Sequence, residues 1–399
     1  MSSKYSLFDV YGIEAEYMIV DQKSLKIKTI SDTLLTDLND GELTDDIELD
    51  DVSLSNELVR HVIELKCTEP HNDLLKMEKD FHTTTQLINK SLKKHNAVLL
   101  PTGMHPWMQP NLETELWPHG NKDIYKKYNE IFNCQGHGWS NLQSVHINLP
   151  FADDAEFGKL HAAVRVVLPF VPFMAASSPY FEGGATKKAD NRLAFYEQNQ
   201  KKIPMITGKV IPEAIFTLKD YQKMLNDIYK EVKPYDPEGI IQHQWVNSRG
   251  AITKLDLNAI EIRVMDIQEC PYMDFSLIAL FTEIVKHLVA DKKLNEKCKE
   301  LDTMELKAIY DESLGLNDFQ VTEKFAALFS TKKKLSMNAL LEEIFTQLSP
   351  KIPAHFHQGI KLILKQGNLA KRLLKHHKKP ELGQYEKLKT CLDKNIAYE

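Results

Sequence analysis

The stretch GIEAEYMIVD, residues 12–21, places Glu14 and Glu16 two positions apart in a run that otherwise reads as a strand. Successive side chains of a strand point to opposite faces, so both carboxylates leave one face side by side. Ile13, Ala15 and Tyr17 leave the other face. Like charges that close repel, and a core strand carrying such a pair needs something positive beside it.

Two more strands repeat the pattern. In QSVHINLPF, residues 143–151, Ser144, His146 and Asn148 share one face, with Val145 and Ile147 opposite. In IEIRVMDIQ, residues 260–268, Glu261 and Arg263 share one face, with Ile260, Ile262 and Val264 opposite. Leu255 and Leu257 fall on the parity of Glu261, so a strand start or bulge near Asn258 is needed to reconcile the phase. A fourth piece, NELVRHVIEL at 56–65, adds Glu57 and Glu64. Their separation is odd, and they converge only if a turn or bulge intervenes. Carboxylates with one histidine make an oxygen-rich set suited to magnesium or manganese, hard cations that also hold nucleotide phosphates. Arg263 beside them suits a clamp on a transferring phosphoryl group.

With 399 residues, 43% hydrophobic and 27% charged, the chain has the material for a substantial folded core. A net charge of −6 argues against a nucleic-acid binder that relies on a basic surface. The longest apolar run, Val166 to Ala176, is too short for a membrane span and is interrupted by Pro169 and Pro172. No secretory signal is visible at the start. The cysteines at 67, 134, 270, 298 and 391 show no CxxC spacing, which suits reduced thiols in a cytoplasmic protein.

Residues 37–51 hold eight acids and no base, the composition of a solvated loop. Helical spacing over residues 71–95 has Asn72 or Asp73 as its N-cap. Helical, Lys-rich character from about Leu294 sets a boundary near residue 290. It divides an α+β part with an antiparallel sheet, residues 1–290, from an all-helical part, 291–399. Strand edges around 10–20 and 260 leave room for pairing into a homo-oligomer.

GIEAEYMIVD, NELVRHVIEL, QSVHINLPF, AASSPYFEGGATKKADNR and IEIRVMDIQ follow one another in an order that resembles the carboxylate–amine ligases related to glutamate–cysteine ligase, of the family 2 type. These belong to the wider glutamine-synthetase-like fold, and the resemblance covers roughly residues 10–290. It implies a curved antiparallel sheet forming an active-site funnel, with helices on its outer face and a helical C-terminal region beyond. It implies ATP at one end, an amino-acid carboxylate at the other, and Mg2+ between, with Mn2+ serving in its place. Carried over by position, Glu14, Glu16, Glu57, Glu64, His146 and Glu261 resemble the family's metal ligands. Arg263, with Glu261, resembles its catalytic pair at the transferred phosphate. Asn148, Arg192 and Arg249 are similar to substrate or phosphate contacts.

The implied partners are small molecules, an amino acid such as glutamate and an amine such as cysteine; the segment GHGWSNLQS before His146 departs from the family pattern and leaves the amine open. The implied reaction activates a carboxylate as an acyl phosphate, which an amine then displaces. FEGGATKK and MITGKV lack the spacing of a phosphate-binding P-loop, in keeping with a site that works through positioned charge. Two competing readings are a non-catalytic descendant that binds nucleotide or amino acid and a metal-dependent hydrolase. Loss of ligands would mark the former, yet all six metal positions keep Glu or His.

Overall fold

Strand β1 (Gly12–Asp21) runs through the middle of the molecule, and the computed structural model describes residues 5–375 and 377–399 around it. The other strands are β2 (Asp46–Leu49), β3 (Val52–Asn56), β4 (Val62–Cys67), β5 (Ala97–Leu100), β6 (Ser144–Pro150), β7 (Tyr180–Phe181), β8 (Gly184–Ala185), β9 (Ala251–Lys254) and β10 (Ala259–Asp266). β7 and β8 form a separate hairpin, and the remaining eight make one sheet, seven of them in the order β2-β3-β4-β1-β6-β10-β9 and β5 paired to β1 off that path. Every pairing is antiparallel. One edge of β1 is shared, residues 12–15 pairing with β6 and residues 18–21 with β5. β1 and β10 are therefore interior strands, so neither offers the free edge that the sequence reading assigned to residues 10–20 and 260. The acidic run contains a strand rather than only loop, since β2 lies within it at the edge of the sheet.

Alternation along β1 decides what covers each face. Ile13, Ala15, Tyr17 and Ile19 are buried in the main core. Helices Leu74–Leu92, Asp154–Val167 and Pro271–Ala290 contribute Phe81, Ile88, Leu160, Val164, Leu277 and Phe281 to the same core. Asp73 caps the first of these, accepting from the N–H groups of Leu75 and Lys76 at 3.0 and 3.1 Å. Asp153 caps the second through Glu156 N at 2.9 Å. Pro271 opens the third, where its missing N–H costs nothing. That third helix is apolar nearly all round because it packs against other helices on most sides.

The opposite face of β1 changes character along its length. Glu14 and Glu16 give way to Met18 and Val20, which join a second buried cluster with Leu369, Leu373, Tyr385 and Leu388. Those residues lie on helices Leu369–Leu374 and Leu382–Lys394, so the C-terminal segment covers the apolar half of the face that carries the glutamates. A buried ion pair fastens it there. Arg372 Nη1 and Nη2 donate to Glu269 Oε1 and Oε2 at 2.6 and 3.3 Å, and Tyr398 N donates to Glu269 Oε1 at 2.9 Å. Both side chains are almost fully buried.

Removing one member of a buried ion pair leaves the other uncompensated, at a cost of about 3–5 kcal/mol. Arg372→Met is expected to lower the unfolding free energy by that amount in guanidinium titrations. A change under about 0.5 kcal/mol, typical of an exposed position, would show that the pair does not fasten the C-terminal helices.

Candidate active site

Cross-strand register brings the strand residues together. Glu14 stands opposite His146 on β6 and Lys66 on β4, and Glu16 stands opposite Glu64 on β4. Glu261 on β10 stands opposite Asn148 on β6. The pairing of β10 with β6 then slips: Ile262 faces Ile147 but Met265 faces Val145, so Arg263 and Val264 together oppose His146. This bulge returns Asp266, opposite Ser144, to the face that holds Glu261 and Arg263. The phase change near Asn258 has another origin. Residues 255–258 form the turn of the β9–β10 hairpin, with Asn258 at φ 48°, and β10 starts after it. Glu57 follows the end of β3, and the turn from there to β4 reconciles its odd spacing from Glu64.

The contacts form one network. His146 Nδ1 donates to Glu14 Oε2 at 2.9 Å, and its Nε2 lies 3.0 Å from Ser144 Oγ. Glu16 Oε2 accepts from Ser144 N and Oγ at 2.8 and 3.0 Å. Glu64 Oε2 accepts from Ser55 Oγ at 2.7 Å. Asn148 Nδ2 donates to Glu14 Oε1 at 3.0 Å. Arg263 Nε lies 2.9 Å from Glu261 Oε1. Lys254, at the end of β9, reaches Glu14 Oε1 at 2.9 Å and also pairs with Glu261 Oε2.

Electrostatics divides these carboxyl groups. Burial opposes ionisation of Glu14, but the hydrogen bond from His146 and the charge of Lys254 outweigh it and hold its pKa far below the usual range. Burial, reinforced by Glu64 and Glu16, pushes Glu57 well above that range. Glu64 is raised to about 8 by burial and by the charges of Glu14 and Glu16, against the Ser55 hydrogen bond. Burial lowers the affinity of His146 for a proton, yet Glu14, Glu261 and Glu16 more than restore it. The site thus holds more carboxylates than its own cations neutralise.

Arg192 lies beside this network. Its Nε pairs with buried Asp266, its Nη1 lies 3.5 Å from the Arg263 carbonyl, and its buried Nη2 has no partner. Asp266 also accepts from Ser177 N at 2.9 Å and Ser178 Oγ at 2.8 Å. Gly103 lies so close that a Cβ there would collide with the Asp266 carboxylate.

Arg249 is the exception among the expected residues. Its Nε and Nη2 bind Glu213, both at 2.6 Å, and Nη1 serves Asn247 Oδ1 and the carbonyls of Met205 and Ile206. Each guanidinium nitrogen thus has a partner within those loops. Sequence reasoning missed Lys254, Asp266 and Tyr125. Tyr125, on helix Lys122–Phe132, accepts from Asn56 Nδ2 at 3.0 Å and faces the charge of Glu57. The four-residue turn at 255–258 places Lys254 beside the start of β10, and Leu255 and Leu257 mask that turn in the sequence.

The donor set suits divalent cations. Single ligand atoms from Glu14, His146 and Glu261 lie within 4.8 Å of one another, as do atoms from Glu16, Glu64 and His146. Hard oxygen donors dominate both groups. Asn148 Oδ1 is buried without a partner beside the first group, and added positive charge would relieve the raised Glu57 and Glu64.

The model of glutamate–cysteine ligase family 2 matches residues 10–381. An uncharacterised protein of Archaeoglobus fulgidus is 32% identical over 97% of this chain and 99% of its own length. A Legionella pneumophila (strain Corby) protein provisionally named glutamate–cysteine ligase 2-1 is 25% identical over 73% of this chain and 69% of its own. The crystal structure of the Francisella tularensis glutamate–cysteine ligase in complex with AMP superposes with a TM-score of 0.61 at 12% identity, covering 97% of this chain and 88% of that one. The chain has the fold of that ligase, the glutamine-synthetase-like architecture of a large antiparallel sheet with many helices. Among the described residues, no helix is long and apolar enough to cross a membrane.

Folded metal-free protein keeps a proton on Glu64 up to about pH 8, whereas the ordinary value is 4.5. The folded state binds the extra proton between those values, so stability falls as pH rises through that window. Thermal unfolding in chelator from pH 5 to 8 is expected to show a falling midpoint. Glu64→Gln should flatten the profile and stabilise the metal-free protein at pH 8 by about 1 kcal/mol or more. Parallel profiles for both proteins would refute the crowding of charge at Glu64.

Proposed function

Because the chain belongs to glutamate–cysteine ligase family 2, we propose that it is an ATP-dependent ligase joining an amino-acid carboxylate, glutamate in the first instance, to an amine. The observation that carries this reading is the convergence of Glu14, Glu16, Glu64, Glu261 and His146 on one sheet face, with Glu57 just past the end of β3, beside Arg263 and Arg192. Phosphoryl transfer asks mainly for positioning and for neutralised oxygens, and such a face supplies both. We assign residues 1–290 to the reacting groups and the helices of 291–399 to closing the apolar end of the same face.

Magnesium ions held by the five glutamates and His146 would supply charge neutralisation at the phosphate oxygens. AMP bound to the Francisella ligase supports a nucleotide at one end of the site. Here a cavity of about 490 Å³ beside Glu14 and Asn148, with Val10, Pro150 and Leu257 in its wall, suits a flat purine. Glu261 orients Arg263 toward the transferring phosphoryl group, and Arg192 offers its free Nη2 to a substrate carboxylate. A carboxylate oxygen attacks the γ-phosphorus and ADP leaves. An amine nitrogen then attacks the acyl carbon and phosphate leaves, giving the amide.

Phosphate release from ATP with magnesium, across amino acids offered singly and in pairs, tests the reading. One acid with one amine is expected to stimulate release, with the matching amide seen by mass spectrometry. No stimulation by any pair, despite nucleotide binding by calorimetry, would overturn it in favour of a binding protein. Arg263→Ala is expected to retain nucleotide binding and lose about 10²–10³ in kcat, the usual effect of removing one charge-stabilising donor. Turnover at the wild-type rate would remove Arg263 from the reacting centre.

A further inference from the structure

Lys254 stands where the metal-dependent reading of the site would put positive charge. Its ammonium lies between Glu14 and Glu261, two of the three members of the Glu14–His146–Glu261 ligand group. It reaches there from the last residue of β9, the strand at the end of the sheet, just before the 255–258 turn. Its side chain is 23% exposed, whereas that of Glu261 is 1% exposed, so the lysine has an open route by which to withdraw and the carboxylate does not. Four flexible methylenes allow that movement without shifting the backbone.

We infer that Lys254 is a resident cation that holds the place of a divalent ion at Glu14 and Glu261 and is displaced when that ion binds. A lysine and a divalent ion cannot both sit against the same two carboxylate oxygens, because their charges repel at that range. Without the lysine, metal-free Glu14 and Glu261 would face each other with less compensation. With it, the site stays folded between rounds of metal loading, and ion binding competes with the ammonium.

The inference rests on the metal reading, and calorimetry of Mn2+ into chelator-treated protein separates the two. Wild type is expected to bind Mn2+, and Lys254→Met to bind it about tenfold more tightly because nothing has to be displaced. Lys254→Arg keeps the charge and is expected to stay close to wild type. No binding by wild type or Lys254→Met would overturn the metal reading and this inference with it. Equal affinities for wild type and Lys254→Met would overturn the inference alone. Should the methionine variant misfold, acetylation of lysines in the wild type, read by peptide mass spectrometry, answers the same question. Labelling of Lys254 is expected to rise severalfold when Mg2+ is added. Unchanged labelling in protein shown by calorimetry to bind the ion would overturn the displacement.

Discussion

Repulsion among carboxylates crowded onto one face of a buried sheet is the constraint around which this protein is arranged. Glu14 and Glu16 are neighbours by strand geometry, Glu64 is brought beside them by register, and Glu57 and Glu261 close the group from either side. In a medium of low dielectric such a group is expensive to keep ionised. The protein answers by raising the proton affinity of Glu57 and Glu64, by a histidine drawn toward its charged form, and by Lys254 and Arg263. A cluster held in this uncomfortable state draws its stability from elsewhere in the fold.

Here it comes from both ends of β1. The odd-numbered residues bury themselves under three long helices. The even-numbered face passes from acid to apolar within two residues of Glu16, and the C-terminal helices exploit the apolar part. Glu269 sits three residues beyond the end of β10, so the ion pair that ties down Arg372 and the strand that supplies Glu261 belong to one continuous segment. Disturbance of the C-terminal region therefore has a direct mechanical path to the charged cluster.

Period-two alternation made Glu14, Glu16, His146, Asn148, Glu261 and Arg263 legible as a shared face, because a strand reports its facing through spacing alone. The odd gap between Glu57 and Glu64 was legible as a turn or a bulge, and the structure has the turn. Other features were not. Leu255 and Leu257 look like strand residues, and that disguised the hairpin turn which brings Lys254 into the site. Asp266 returns to the site face only because β10 bulges, and a bulge leaves no residue signature that alternation can detect. Arg192 and Arg249 looked equivalent, both arginines in loop-rich stretches. What distinguishes them is tertiary: one has a buried nitrogen without a partner, whereas every guanidinium nitrogen of the other has at least one, from Glu213, Asn247 or a backbone carbonyl.

The edge of the sheet carries a consequence of its own. β2 ends the hydrogen-bonded order on one side, with Asp46 and Glu48 inside it and Asp45, Asp50 and Asp51 flanking it. An unpaired strand is a template on which another chain can add. Two copies docking antiparallel along this edge would bring the acids of one copy near those of the other, and that like charge opposes the contact although Lys66 and Lys76 already pair with Asp46 and Asp51. The acid-rich run thus acts as a guard against sheet-to-sheet aggregation. Its protection weakens in concentrated salt, where the field of those charges is screened.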